Sequence, residues 1–292
     1  MKIKRRILPV LFLAYAILFP VNEDSEFAAS ISAKSSGKIE IVCTTTHLSS
    51  IVDAVGGDFV ETHTIIPYGM CPGHFDLSPG EARNLLEAKV LLCHGYEQFL
   101  KSVAFDDGTN KQQVNVKGNW MIPDLQVPAV RRIAEILSVE RPDHADDFSR
   151  SAIDYTAAVL ATADSLRNRL SGFRGIPVVC SAMNRDLIEW IGFEVIADYP
   201  RDEDMSMKTM SDIVTAGRNM GAKLVIDNRQ SSGKIGRSLA DNIGVPYIML
   251  SNFPETDSSE KKNRPYIDTL IKTCASIIGA LSDDGPAVGG GT

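Results

Sequence analysis

The sequence predicts an α/β protein of two lobes, each built from mostly parallel β-α units, joined by one long backbone helix, with a ligand cleft between the lobes. Three observations carry this prediction. Short apolar runs rich in β-branched residues recur along the 292 residues, and most are followed by a segment whose apolar residues fall at steps of three and four. After Pro142 neither proline nor glycine occurs before Leu170 is passed, and there the alternation stops. Beyond Gly172 the strand-helix rhythm resumes. Repeated strand-helix units imply right-handed crossovers and hence parallel pairing in each half.

Taken in order, IEIVC at 39–43 is the first strand, followed by Thr44-Thr45-Thr46-His47 and a helix carrying Leu48, Ile51, Val52 and Val55 that Gly56-Gly57 stops. VETHTII at 60–66 alternates as a strand does, and residues 67–73 make a Pro/Gly loop. Ser78-Pro79-Gly80-Glu81 is a capping box, with serine as N-cap, proline at the first helical position and glutamate at the third. His74 therefore stands just upstream of a helix start. KVLLC at 89–93 is the next buried strand, 94–100 begins another helical turn, 113–116 is a fourth strand and 128–137 a fourth helix. Between 142 and 170, Phe148, Ala152, Tyr155, Val159, Ala163, Leu166 and Leu170 mark one helical stripe, a helix of roughly 40 Å at about 1.5 Å per residue. The second half reads as strands at 176–180, 193–198, 223–227 and 246–250, with helices near 184–191, 206–220, 234–243 and 264–281.

These elements divide the chain into an N-terminal lobe (39–141), the connecting helix (142–172) and a C-terminal lobe (173–282), ending in a flexible tail (283–292). Ahead of them, MKIKRRILPVLFLAYAILFPV places four Lys/Arg among its first six residues and then about fifteen mostly apolar ones. That core is shorter than the roughly 20 residues a spanning helix needs, so residues 1–38 read as a signal peptide or anchor plus linker and the protein as exported. Its destination is then the periplasm or the outer face of the cytoplasmic membrane.

A formal net charge of −7 with scattered basic residues excludes nucleic acid as a partner, because phosphate recognition needs clustered Lys/Arg. Five widely spaced cysteines without a Cys-x-x-Cys exclude a disulfide framework. Cys43, Cys93 and Cys180 each end an apolar run, a position that suits a small buried residue as well as a site. No Gly-x-Ser-x-Gly elbow, His-Glu-x-x-His or phosphate-binding glycine loop occurs, which argues against an enzyme.

In open parallel sheets ligands bind beyond the carboxyl ends of the strands, and the loops there carry a resemblance. The stretch IVCTTTHLSSIVDAVGGDFVETHTIIPYGMCPGHFDLSPGEARNLLEAKVLLCHGYEQFL (41–100) resembles the solute-binding proteins of zinc and manganese ABC importers. The shared order is a strand, a Thr-rich loop, a helix ending in Gly-Gly-Asp, a Pro/Gly loop with a histidine before a Ser-Pro helix start, and a strand followed by His-Gly. Residues 119–123 and 225–230 echo later segments of the family. The resemblance implies a bilobed, non-catalytic binding protein that holds a metal ion between its lobes for delivery to a membrane permease, and it puts His74 on the family's first ligand.

The other three ligand positions of the family fall on Gly118-Asn119, Ser181 and Ser251-Asn252, none of them a usual zinc donor. Replacements are at hand on loops: Met70, Cys71, Cys93 and His94 in the first half, Cys180, Met183, Met205 and Met207 in the second. Thiolate and thioether sulfur favour soft ions such as Cu(I), and thiolate also serves zinc. The expected metal set is thus His74, Cys71 and Cys180, with zinc or Cu(I) as the transported ligand. The methionines suit packing equally well, the acidic loop at 201–204 could supply hard oxygen, and His47 is a second-layer donor or a rim residue. The alternative expectation is a degenerate member that binds a non-metal small ligand or acts in adhesion.

Overall fold

The computed structural model describes residues 37–105, 108–256 and 264–282. Residues 1–36 of the expected export segment and the expected tail at 283–292 lie outside them. The first lobe contains β1 (Ile39–Thr45), α1 (Thr46–Gly56), β2 (Val60–Ile66), α2 (Pro79–Glu87), β3 (Val90–Cys93), β4 (Asn110–Gln113) and α3 (Pro123–Glu140). A 25-residue helix, α4 (Ala145–Arg169), leads to the second lobe. There follow β5 (Pro177–Ser181), α5 (Arg185–Ile191), β6 (Glu194–Tyr199), α6 (Met207–Asn219), β7 (Leu224–Asn228), α7 (Lys234–Ile243), β8 (Tyr247–Leu250) and α8 (Pro265–Leu281). Each lobe holds a four-stranded parallel sheet, ordered β2-β1-β3-β4 in the first and β6-β5-β7-β8 in the second. The strand order is the same in both halves.

Parallel strands covered on both faces read as unbroken apolar runs, and strand parity decides which way each residue faces. Ile41 and Cys43 of β1, Val90 and Leu92 of β3, Val178 and Cys180 of β5, and Leu224 and Ile226 of β7 all enter one apolar cluster that runs through both lobes. Their neighbours of opposite parity turn outward. Val42, Leu91 and Cys93 pack beneath α2 with Leu85 and Phe75, and Val179 and Val225 pack beneath α6 and α7 with Ile213 and Leu239. The stripe Phe148, Ala152, Tyr155, Val159 and Leu166 of α4 lies in the shared cluster, as expected from its spacing. So do Tyr266, Leu270 and Ile277 of α8. The Tyr266 hydroxyl donates to the carbonyl of Met121, 3.0 Å away, tying α8 to the first lobe.

The capping box forms as the sequence predicts: Glu81 N donates to Ser78 Oγ (3.3 Å) and Ser78 N to Glu81 Oε2 (2.8 Å). Three expectations shift. The fourth strand lies at Asn110–Gln113 rather than 113–116, because the polar NKQQ run takes the exposed edge beside β3 while Val114 turns into the core. α3 starts at Pro123, and Pro128 lies inside it; a proline near a helix start forfeits its own N–H without ending the helix. Residues 94–97 are not helical. Gly95 at φ +99° breaks the turn, and a 3₁₀ helix follows at Gln98–Ser102.

Candidate functional site

In the order β2-β1-β3-β4 the chain changes direction across the sheet between β1 and β3, and the loops after those two strands part to form a crevice. The corresponding crevice of the second lobe lies between the ends of β5 and β7. The first crevice is filled with buried polar groups. Thr44 Oγ1 donates to Glu97 Oε1 (2.5 Å), and the same carboxylate accepts from the backbone N–H groups of His94 (2.8 Å) and Gly95 (2.7 Å). Thr45 Oγ1 lies 2.7 Å from His94 Nε2.

His47 sits at the start of α1 against Trp120, Phe253 and His94, with ring centroids 5.8, 5.1 and 6.5 Å away. Burial and the neighbouring His94 hold its pKa down at about 3, and burial does the same for His94. Both rings are therefore neutral. His47 Nε2–H donates to the carbonyl of Asn252 (2.8 Å), while its Nδ1 is buried without a hydrogen-bond partner.

Asn252, just past β8, is the centre of a bridge between the lobes. Its Oδ1 accepts from Asn119 Nδ2 (2.8 Å) and Asn184 Nδ2 (3.4 Å), and its Nδ2 donates to Asn228 Oδ1 (3.0 Å). Asn119 also donates to the Met183 carbonyl (3.1 Å) and accepts from Met121 N (2.8 Å). Gln230 Nε2 reaches the Tyr68 carbonyl (2.5 Å) and Ser251 Oγ (3.1 Å), and its Oε1 accepts from Asn252 N (3.1 Å). Ser251 Oγ in turn donates to the Phe253 carbonyl (2.7 Å).

Outward of this amide bridge opens a cavity of about 480 Å³. From the first lobe Cys71, His74 and Tyr96 line it; from the second, Met183, Arg201 and Glu203 do. His74 Nε2 lies 3.2 Å from Glu203 Oε1, and Arg201 Nη1 lies 3.5 Å from the same oxygen, so one carboxylate joins the two rims. Asp202 accepts a hydrogen bond from Ser232 Oγ. A larger cavity of about 1080 Å³ lies at the outer edge of the second lobe beside β8 and the end of α8. It runs along edge strand β8 from the amino ends of β5 and β7 and shares no lining residue with the cleft cavity.

Of the residues singled out by sequence, Cys71, His74 and Met183 line the cleft cavity, while Ser181, Ser251, His47 and His94 lie buried behind it and the half-buried Asn119 joins them in the bridge. The rest are elsewhere. Cys180 shares the parity of Val178, so its thiol points into the shared core, and burial pushes its pKa up to about 12. Cys93 shares the parity of Leu91 and is held under α2, with its thiol pushed up to about 11 by burial. Thiolate formation is disfavoured at both, which corrects the expectation that they face the cleft. Met205 packs against the core under α6, Met207 is 86% exposed on the first turn of α6, and Met70 is a surface residue outside the cavity lining. Among the described residues no group of three or more His, Cys, Asp or Glu side chains stands close enough to hold a metal ion.

Sequence reasoning missed Glu97, Asn184, Asn228 and Gln230 as parts of the junction. The available signal was positional, since each follows directly on a buried strand or its loop: LLCHGYE, VCSAMN, VIDNRQ. No helix among the described residues is long and apolar enough to cross a membrane.

Solved structures share this architecture. A manganese-bound mutant of the periplasmic metal-binding protein of Candidatus Liberibacter asiaticus superposes with a TM-score of 0.71 at 18% identity, over 84% of this chain and 100% of that one. A zinc-bound deletion mutant of ZnuA superposes at 0.72 and 16% identity, over 84% and 98%. At such identities these matches show the fold. Among curated proteins, the metal ABC transporter substrate-binding lipoprotein FimA of Streptococcus parasanguinis is 30% identical over 91 residues, 31% of this chain and 28% of its own length. The manganese ABC transporter substrate-binding lipoprotein PsaA of Streptococcus pneumoniae is 31% identical over 91 residues, 29% of its length. The chain thus aligns with less than a third of either relative. The sequence model of the zinc-uptake complex component A, periplasmic, matches residues 41–280, nearly the whole described fold, and the chain belongs to that family.

Proposed function

We propose that the protein is an exported solute-binding protein that captures a transition metal, as an ion or as a chelate, and delivers it to the membrane permease of an ABC importer. One observation carries this reading: two sheets of identical strand order present their switch-point loops across a single cleft, with Cys71 and His74 on one rim and Met183 on the other. A thiol, an imidazole and a thioether are donors for zinc or Cu(I) rather than for a hard ion. Residues 1–38 serve export or anchoring, which puts the cleft outside the cytoplasmic membrane. His74, with Cys71, contributes to the ligand site.

Elemental analysis of protein purified without a His tag from metal-replete cells tests this. The expected result is about one zinc or copper per chain in the wild type and a clear loss in the His74→Ala and Cys71→Ser variants, whose loop positions carry no core volume. Metal at background in the wild type would overturn the reading.

A further inference from the structure

The deepest point of the cleft offers a bare cation few free donors. Asn252 Oδ1 already accepts two amide donors, and Asn119 Oδ1 accepts the Met121 N–H. Ser251 Oγ donates to the Phe253 carbonyl and accepts from Gln230. These oxygens are engaged in protein hydrogen bonds, several of them from lobe to lobe, and the lone pairs left without a partner at the junction are those of Asn184 Oδ1 and His47 Nδ1, too few to hold a bare ion.

The space outward of them has the size and chemistry of an organic-ligand site. At about 480 Å³ the cavity falls in the range of roughly 300–1,000 Å³ found for small-molecule pockets, far beyond what a single ion needs. It also contains a guanidinium. A Cβ placed on Gly73 would lie 3.6 Å from Arg201 Nη1 and 3.8 Å from Cys71 Sγ, so guanidinium and thiol converge on one small open point above that glycine. The formal counter-charge of Arg201 is Glu203, at 3.5 Å, which His74 shares at 3.2 Å. Asp202 and Glu203 line the same cavity, so the guanidinium does not by itself bar a cation; its planar fork matches a carboxylate in a two-bond geometry.

We infer that the cleft takes its metal already wrapped in a small organic carboxylate chelator: Arg201 binds a carboxylate of the chelator, while Cys71 and His74 complete the coordination sphere from the opposite rim. The chelator supplies the donors that the chain lacks, since no three-donor cluster exists among the described residues. This inference rests on the metal-capture reading above and narrows its cargo.

The test is calorimetric titration of the purified protein, wild type and Arg201→Gln, with zinc alone, with citrate and L-histidine alone, and with the preformed zinc citrate and zinc bis-histidine complexes. At least one complex should bind tenfold or more tighter than both bare zinc and its own metal-free chelator, and Arg201→Gln should abolish that preference. Bare zinc binding as tightly as any complex, with Arg201→Gln unchanged, would overturn the chelate inference and leave metal capture standing. Metal-free chelators binding as well as their complexes, or no probe binding at all, would overturn the chelate inference, and metal at background in the purified protein would overturn metal capture itself.

Discussion

The two buried histidines make a quantitative prediction about acid. Both are held near pKa 3 in the folded protein, against an ordinary value of 6.5. Between those values the unfolded chain binds more protons than the folded one, so stability is fully present above about pH 6.5 and falls as the pH drops toward 3. From pH 7 to pH 5 each histidine forfeits about 2 kcal/mol, and the pair about 4 kcal/mol. For a domain of this size that is roughly a 10 °C fall in Tm. Carboxylates add their own acid dependence, so the informative quantity is a difference between proteins. His94→Gln keeps a polar group beside Thr45 and removes one titrating ring; it should shrink the fall in Tm between pH 7 and 5 by roughly half the histidine share, about 5 °C. His47→Gln should do the same. Thermal unfolding followed by circular dichroism across that range reads the effect, and identical pH slopes for wild type and both variants would refute the placement of neutral rings at the junction.

Asn252→Ala removes three side-chain hydrogen bonds and strands the buried amides of Asn184 and Asn228; urea unfolding should show a loss of about 3 kcal/mol, and a loss below about 1 kcal/mol would contradict the bridge. Cys71 is the partly exposed member of the five cysteines, the other four being buried, so native iodoacetamide treatment followed by peptide mass mapping should find the label at Cys71 alone. Label at Cys93 or Cys180 under the same conditions would place those strands wrongly. Gly236 on α7 leaves no room for a methyl group, since a Cβ there would sit 2.4 Å from Asp227 Oδ2 and 2.6 Å from the Tyr199 hydroxyl; Gly236→Ala should cost about 1–3 kcal/mol, and an unchanged urea midpoint would count against that packing.

Most of the fold is legible in the chain because parallel strands buried on both faces announce themselves as apolar runs. IEIVC, KVLLC and KLVID each lead into the strand expected, and the helix at 234–243 matches residue for residue. The failures have local causes. β4 is a polar edge strand, so hydrophobicity pointed three residues downstream, to a span holding Val114 and Val116, which pack against the core. The site was less legible. That Cys180 closes a buried strand was visible, but which face a strand-end residue takes depends on the parity set by the whole sheet, and that parity turns Cys180 away from the cleft. Asn119 and Asn252 were visible as ligand positions of the family, but their partners Asn184 and Asn228 read as turn formers at strand ends, and only the approach of the two lobes makes the four one network.

The apolar cluster that passes through both lobes, with α4 and α8 embedded in it, has a kinetic consequence for the cleft. Parting the lobes would expose that core to water, a cost that scales with the area uncovered at roughly 25 cal/mol per Å². Under the proposed function, cargo exchange falls to the small elements at the mouth, the 3₁₀ turns Pro72–His74 and Asp202–Asp204, which can rearrange on the nanosecond to microsecond scale of loops. On that proposal, residence time is set by how tightly those two turns hold each other through Glu203, and a permease gripping either turn would empty the cleft without prying the halves apart.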